Sequence, residues 1–556
     1  MAGGFLADCR FLYDQSLLPS VFKAASKANK DPDLLTFDEA MTDQEHKQEW
    51  MKAAQAEIDG LESKQTWVEV NQSEATTKIL PGTWVFRRKR TPDGEIKKFK
   101  ARYCVRGDLQ EGTFDTYAPV VAWSTVRLFL VLSLMLDWYT CSIDFTNAFV
   151  QAELSDPVWI HLPRGFRSSR PGLTCLRLKR SLYGLSIAPR LWYEHLFAAL
   201  RDEGFVPSSI DPCLLLRKDM VIICYVDDGG ISSICKDNVD KLLSRLQKRG
   251  FELKRDGSFS EYLGVKVTKD DKAGTITMTQ QGLIQKILNA TGMTLCHPNW
   301  TPATQLALGT DPDGPPMQDP WSYSSVIGML LYLATNSRPD IAFAVSQVAR
   351  FGSSPRQTHA TAVKTIVRYI YRTIDKGIVM RPTGTLQVDC YVDADFAGLY
   401  KRETDDNVNS ARSRTGYMIM LGNCPLVWKS QLQSEITLST LEAEYSALSS
   451  SMRMVLTIKR LLVDICEVIT LPRQIHTSFR CRVFEDNNGA LALATTHRIT
   501  SRTKYFLVKW HWFWCHVKNG SVEVIKVDTT DQIADYLTKG LPRETFEKLR
   551  KLAQGW

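Results

Sequence analysis

The sequence predicts a multidomain protein of mixed α+β and α/β class. Three observations carry that expectation: a length of 556 residues, an ordinary globular composition, and acid-ended strand patterns alternating with helical ones. Single hydrophobic cores stop growing well short of this length, so several domains are required. Hydrophobic residues make up 44% and charged residues 23%, which excludes wholesale disorder. No apolar run approaches the roughly 20 residues that span a bilayer. Asp8, Arg10 and Asp14 interrupt any signal-peptide-like stretch, so a soluble intracellular protein is expected.

Residues 1–35 show no clear pattern and are left as an unassigned leader. Thr36-Phe-Asp-Glu39 is a capping-box signature, and Trp50, Ala54, Ile58 and Leu61 follow at helical spacing. Between Pro81 and Gln110 nine Lys/Arg face three acids, with Trp84, Phe86, Phe99 and Tyr103 interleaved and a turn at Pro92-Asp93-Gly94. A basic, aromatic-bearing hairpin suits a phosphate backbone, and a solvated charged hairpin fits equally well. Leu128 to Leu136 reads as a buried helix. Five prolines within 301–320 mark a linker or an extended crossing segment, and Arg381-Pro-Thr-Gly marks a second break. Three bodies emerge, at 36–300, 321–380 and 386–556. The 13 cysteines form no CxxC pair and are expected reduced and buried. His511 and Cys515 lie one helical turn apart, but no fourth ligand accompanies His516, and packing is the preferred reading.

Two acidic constellations carry the chemistry. A strand-like run ends in Asp144, and the apolar run Val221 to Val226 leads into Asp227-Asp228-Gly229-Gly230, a β-hairpin with carboxylates at its tip. Adjacent acids repel, so a cation belongs against them; two divalent ions roughly 4 Å apart would suit phosphoryl transfer. In the second constellation Asp393 ends a strand, Glu442 and Glu444 open a helix, Asp486 ends another strand and Asp535 lies on a later helix. Residues two apart on a helix diverge by about 200°, so Glu442 and Glu444 cannot both face one metal pair. Glu442 is taken as the ligand with Glu444 as fallback, and Asp395 stands second to Asp393. Acids that merely cap helices are the alternative.

The motifs YVDD, SIDFTNAFVQAEL and SLYGLSIAPRLWY, with the later acidic blocks, resemble the reverse transcriptase and RNase H of copia-type (Pseudoviridae-like) LTR retrotransposons. The resemblance runs from about Thr36 to Leu541. It implies a right-hand polymerase with fingers and palm over 36–275, a thumb and connection over 276–380, an RNase H-like domain over 386–545 and a tail at 546–556. Asp144 and Asp227 would hold two Mg²⁺ or Mn²⁺ ions beside Asp228, and Asp393, Glu442, Asp486 and Asp535 would hold two more. Phe149 matches a steric gate against a ribose 2′-hydroxyl, although a core aromatic is the plain alternative. Lys100 and Arg102 match the fingers cations on the incoming triphosphate; Arg102 could equally cap a strand. Tyr183-Gly184 match a turn beside template and nucleotide, or a plain turn, and Glu261 to Gly264 resemble a primer grip. The implied partners are an RNA template, a DNA primer or RNA–DNA hybrid, dNTPs, and retroelement integrase and capsid proteins, with no membrane. The implied places are the cytoplasm, in a virus-like particle, and the nucleus. Departures occur at Ser186-Ile187, at Trp428 to Gln433 and at Arg502 to Tyr505, each of which loses a family cation or histidine. A decayed or co-opted relic that binds nucleic acid without turnover is the alternative function. The chain matches only the final third of a full polyprotein.

Overall fold

The structure is a computed structural model that describes residues 33–90, 96–166, 168–169, 171–400, 408–472, 475–477, 480–496 and 511–556. Most of the leader, the turn at Pro92-Asp93-Gly94 and the Arg502 to Tyr505 block lie outside the described residues. No described helix is long and apolar enough to cross a membrane.

The chain enters through the expected capping box: Thr36 N donates to Glu39 Oε2 at 2.8 Å, and Glu39 N donates to Thr36 Oγ1 at 3.4 Å. Helix Lys47–Ser63 buries Trp50, Ala54, Ile58 and Leu61 as the spacing requires. Against it lies the antiparallel hairpin Gly82–Arg90 and Ile96–Val105. Here one expectation is corrected. Trp84, Phe86 and Tyr103 are buried and stack on one another and on Trp50, so they form core rather than a surface for nucleic acid. Strand alternation sends their neighbours Arg87 and Lys89 to the outer, exposed face.

A six-stranded antiparallel sheet follows, in the spatial order Leu253–Asp256, Tyr139–Phe145, Asp228–Ser233, Met220–Tyr225, Leu214–Arg217, Val206–Pro207. The apolar helix Trp123–Met135 is buried on most of its faces, as the run at Leu128 suggested. The expected boundary at 275/276 falls within strand Thr275–Thr279, which pairs with Val265–Asp270 and also with the distant strand Ile378–Met380. Helices Gln281–Thr291, Tyr323–Asn336, Ala342–Ala349 and Gln357–Arg372 fill the interval.

The last sheet has five strands, ordered Cys424–Leu432, Arg414–Leu421, Val388–Asp395, Cys481–Glu485, Val522–Lys526. The first three are antiparallel neighbours; the last two join in parallel, a pairing that needs long crossovers. Helix Thr440–Val468 provides one. Residues 546–556, expected as a tail, instead belong largely to helix Arg543–Gln554, which buries Phe546, Leu549 and Ala553. Their apolar spacing of three and four gives one packed face.

The three expected bodies are redrawn by the packing. One core unites Ala40 to Ala188 of the amino-terminal unit, while a second runs from Val121, just before helix Trp123–Met135, to Ala553 at the far end. Apolar surface left by the central sheet is covered by the later helices and by the five-stranded sheet, whose buried residues share that one cluster. The described cysteines are free, and most are buried, as expected.

Candidate active sites

The first site lies where two neighbouring strands end. Strand Met220–Tyr225 turns into Asp228–Ser233 through a two-residue tip, Val226-Asp227, with Val226 at φ 56°. The tip is therefore one residue earlier than Asp227-Asp228, and Asp228 already pairs across the sheet with Asp144. Three bonds pin this geometry: Phe145 N donates to Asp227 O at 2.9 Å, Trp192 Nε1 to Val226 O at 2.6 Å, and Tyr262 Oη to Asp228 O at 3.5 Å. Glycines must follow the acids. A Cβ on Gly229 would stand 2.7 Å from Ile143, and one on Gly230 would stand 2.6 Å from Phe259.

Burial and the neighbouring charge of Asp227 push the carboxyl of Asp228 up to about 6 and raise that of Asp144 as well. Lys100 sits close enough to oppose that shift at Asp144, and its own ammonium is depressed by burial and by Arg102. The Arg102 guanidinium lies 4.6 Å from the centre of the Tyr183 ring, whose edge meets Phe149 at 5.2 Å. The structure thus brings Asp144, Asp227, Asp228 and Lys100 into one electrostatic neighbourhood and joins Arg102, Tyr183 and Phe149 in a stack. Gly184, at φ +92°, lets the turn touch the hairpin: Val105 N donates to Tyr183 O at 2.7 Å, and a Cβ on Gly184 would stand 2.1 Å from Val105 O. Two neighbours escaped the sequence reading. Lys254 faces Asp144 across the sheet edge, and Asp256 adds a further negative charge near it. Both lie on a short edge strand whose pairing carries no local signal.

The second site is tighter. Carboxylate oxygens of Asp393, Glu444 and Asp486 all lie within 4.8 Å of one another, the one such acidic cluster among the described residues. Glu444, not Glu442, is the one that lies in this cluster. The backbone N of Glu442 donates to Ser439 Oγ at 3.2 Å and its Oε2 accepts from Leu438 N at 2.8 Å, so it caps helix Thr440–Val468. Glu444, two residues on, turns into the core at 8% exposure. The signal was present in the sequence, since Ser439-Thr-Leu-Glu442 has capping-box spacing.

Asp535 stands one step outside the cluster, on the short 3₁₀ turn Ile533–Leu537 rather than on an α-helix. Lys539 Nζ bridges it, 2.9 Å from Asp535 Oδ1 and 3.9 Å from Asp393 Oδ2. Thr538 Oγ1 donates to Asp393. The buried Glu485, which the sequence reading passed over, adds another raised carboxyl. Burial first, then Asp393 and its neighbours, push Glu444 up to about 11. Burial and Asp393 push Asp535 up to about 7. Glu444 Oε2 is buried with no hydrogen-bond partner. A buried carboxylate oxygen without a donor, among other acids, is the arrangement that a hard divalent cation satisfies. His511 forms no metal cluster with Cys515 among the described residues; it bonds Tyr445 Oη and packs on Trp514.

Comparison with known proteins gives the relationship. The reverse transcriptase (RNA-dependent DNA polymerase) family matches residues 64–305. The chain is 31% identical over 514 residues to the retrovirus-related Pol polyprotein from transposon RE2 of Arabidopsis thaliana, covering 90% of this chain and 34% of that protein. It is 29% identical over 520 residues to the one from transposon TNT 1-94 of Nicotiana tabacum, covering 91% and 38%. The transposon Ty1-ER2 Gag-Pol polyprotein of Saccharomyces cerevisiae is 24% identical over 553 residues, covering 93% and 30%. The chain thus spans about a third of the length of these relatives. It is similar over about nine-tenths of its length to the retrovirus-related Pol polyproteins of these transposons, and its residues 64–305 match the reverse transcriptase (RNA-dependent DNA polymerase) family.

Proposed function

We propose that this chain is an RNA-directed DNA polymerase with a linked ribonuclease that degrades the RNA of RNA–DNA hybrids. The observation that carries the polymerase reading is the pinned Val226-Asp227 tip, which sets Asp227 and Asp228 beside Asp144 on the adjacent strand. In this reading the amino-terminal unit is the fingers, the six-stranded sheet is the palm, and the five-stranded sheet is the RNase H-like domain. Asp144 and Asp227 would hold metal in the palm; Asp393, Glu444 and Asp486, with Asp535 beside them, would hold it in the nuclease. When bound, divalent ions favour deprotonation of the attacking primer 3′-hydroxyl or water and offset charge on the leaving oxygen.

The chain's own residues do the rest. Lys100 and Arg102 offer positive charge to a triphosphate, with the Arg102 plane held on Tyr183. Phe149, braced edge-on by Tyr183, closes the space where a ribose 2′-hydroxyl would sit. The intact acidic sets at both sites favour turnover over the relic reading. The test is primer extension: purified protein with Mg²⁺ or Mn²⁺ and dNTPs extends a DNA primer on an RNA template, and Asp227→Asn abolishes it. Folded wild-type protein that extends no primer overturns the reading.

A further inference from the structure

Arg127 is only 4% exposed, yet no carboxylate pairs with it among the described residues. It lies on helix Trp123–Met135, which is tied to the palm strand Asp228–Ser233 by Ser133 Oγ donating to Ser232 Oγ at 2.9 Å. Its guanidinium reaches away from that sheet. Nε donates to Leu426 O in the five-stranded sheet at 2.7 Å, and Nη1 donates to Thr335 O and Asn336 O at 3.2 and 3.0 Å. The last two are terminal carbonyls of helix Tyr323–Asn336, where a cation is favoured. Trp428 completes the junction: its ring stacks 4.1 Å from the guanidinium, and its Nε1 donates to Ala334 O at 2.8 Å.

A second clasp binds the same helix at its start. Asp211 accepts from Ala122 N and Thr125 Oγ1 at 3.0 and 2.6 Å, fixing the helix start to loop 208–213. That loop is held by Asp464, whose Oδ2 accepts from Ser208 Oγ, Ser209 N and Ser209 Oγ, each at 2.8 Å. Asp464 belongs to helix Thr440–Val468, which also carries Glu444. Leu426 belongs to the hairpin whose other strand pairs with the Asp393 strand. One clasp therefore runs from the palm helix to the helix that carries Glu444, and the other to a strand one removed from the Asp393 strand.

Burying a charge is expensive, and an apolar side chain would fill the Arg127 site without that cost. What a guanidinium adds is a rigid planar fork that fits only one arrangement of the carbonyls around it. We infer that Arg127 and Asp464 are positioning residues that hold the two carboxylate sites at one fixed separation along a bound hybrid. This rests on the polymerase–nuclease reading above. RNA cleavage then trails the primer terminus by a constant number of base pairs.

The experiment stalls extension at one template position by omitting one dNTP and maps cuts in end-labelled RNA. Wild type gives a tight cluster at one offset. R127M and D464N keep extension and keep cleavage of a hybrid that lacks a primer end, each within about twofold. Their cuts relative to the stalled terminus spread over a window at least twice as wide, and R127K narrows it again. An unchanged window in both variants overturns the inference. So does loss of folding, or of both activities, in both variants, because the residues would then serve structure alone. If only R127M fails to fold, D464N decides. Wild type that cuts no RNA defeats the nuclease reading, whereas wild type that cuts at scattered offsets defeats this inference alone.

Discussion

Replacing Glu444 by Gln keeps its volume and removes its charge, and the structure fixes what should follow. In metal-free protein the Glu444 carboxyl is pushed up to about 11 by burial and by Asp393, Glu485 and Asp486. At neutral pH the folded protein therefore holds a proton that the unfolded chain releases. Holding it costs 1.36 kcal/mol for each pH unit above the ordinary glutamate value, about 3 kcal/mol at pH 7. Because the folded value lies above the unfolded one, stability is undiminished below about 4.5 and falls as pH rises towards about 11. Glu444→Gln carries no such proton. In EDTA the variant should exceed wild type in stability by up to about 3 kcal/mol at pH 7, with the gap widening towards pH 9. In Mg²⁺ the gap closes at a hundredfold excess over Kd, where wild type gains about 2.7 kcal/mol, and the order reverses at a thousandfold excess, where it gains about 4.1 kcal/mol and the variant has lost a ligand. Calorimetric unfolding from pH 5 to 9 in both buffers reads these differences, and hybrid cleavage falls at least about a hundredfold. Glu442→Gln is the control; it weakens a helix cap by about 1 kcal/mol or less and leaves cleavage intact. A Glu444→Gln protein that still cuts hybrid, or that responds to EDTA and Mg²⁺ as wild type does, refutes the assignment.

Two further outcomes follow from the first site. Phe149→Val opens the space braced by Tyr183, so discrimination between dNTPs and rNTPs should fall by roughly one to two orders of magnitude in single-nucleotide incorporation. Gly184→Ala places a methyl 2.1 Å from Val105 O at a φ of +92°, so thermal unfolding should show a loss of at least about 2 kcal/mol and extension should weaken with it.

What the sequence made legible is what local pattern encodes. The capping box at Thr36 and the helix through Trp50 and Leu61 appear where spacing placed them, and the acid-tipped hairpin after Val221 forms with its turn one residue early. The failures share a cause. Trp84, Phe86 and Tyr103 alternate with cations, and alternation alone does not tell which face a helix will cover. The pairing of Ile378–Met380 with Thr275–Thr279 joins segments about a hundred residues apart, beyond any local rule. Helix Arg543–Gln554 carries its own local signal in the amphipathic spacing of Phe546, Leu549 and Ala553. Ser439 and Glu442 stand at capping-box spacing, and that local pattern takes Glu442 to the helix end and leaves Glu444 to face the other acids. Lys539, which joins Asp535 to Asp393, could be found only in three dimensions.

The central claim is that one chain carries two separable chemistries on two acidic sites. It is tested most directly with a hybrid substrate labelled on both the DNA primer and the RNA template, given to wild type, Asp227→Asn and Asp393→Asn. The account predicts that wild type lengthens the primer and shortens the RNA, that Asp227→Asn shortens the RNA only, and that Asp393→Asn lengthens the primer only. Loss of both reactions in either folded variant, or persistence of RNA cutting in Asp393→Asn, would contradict it.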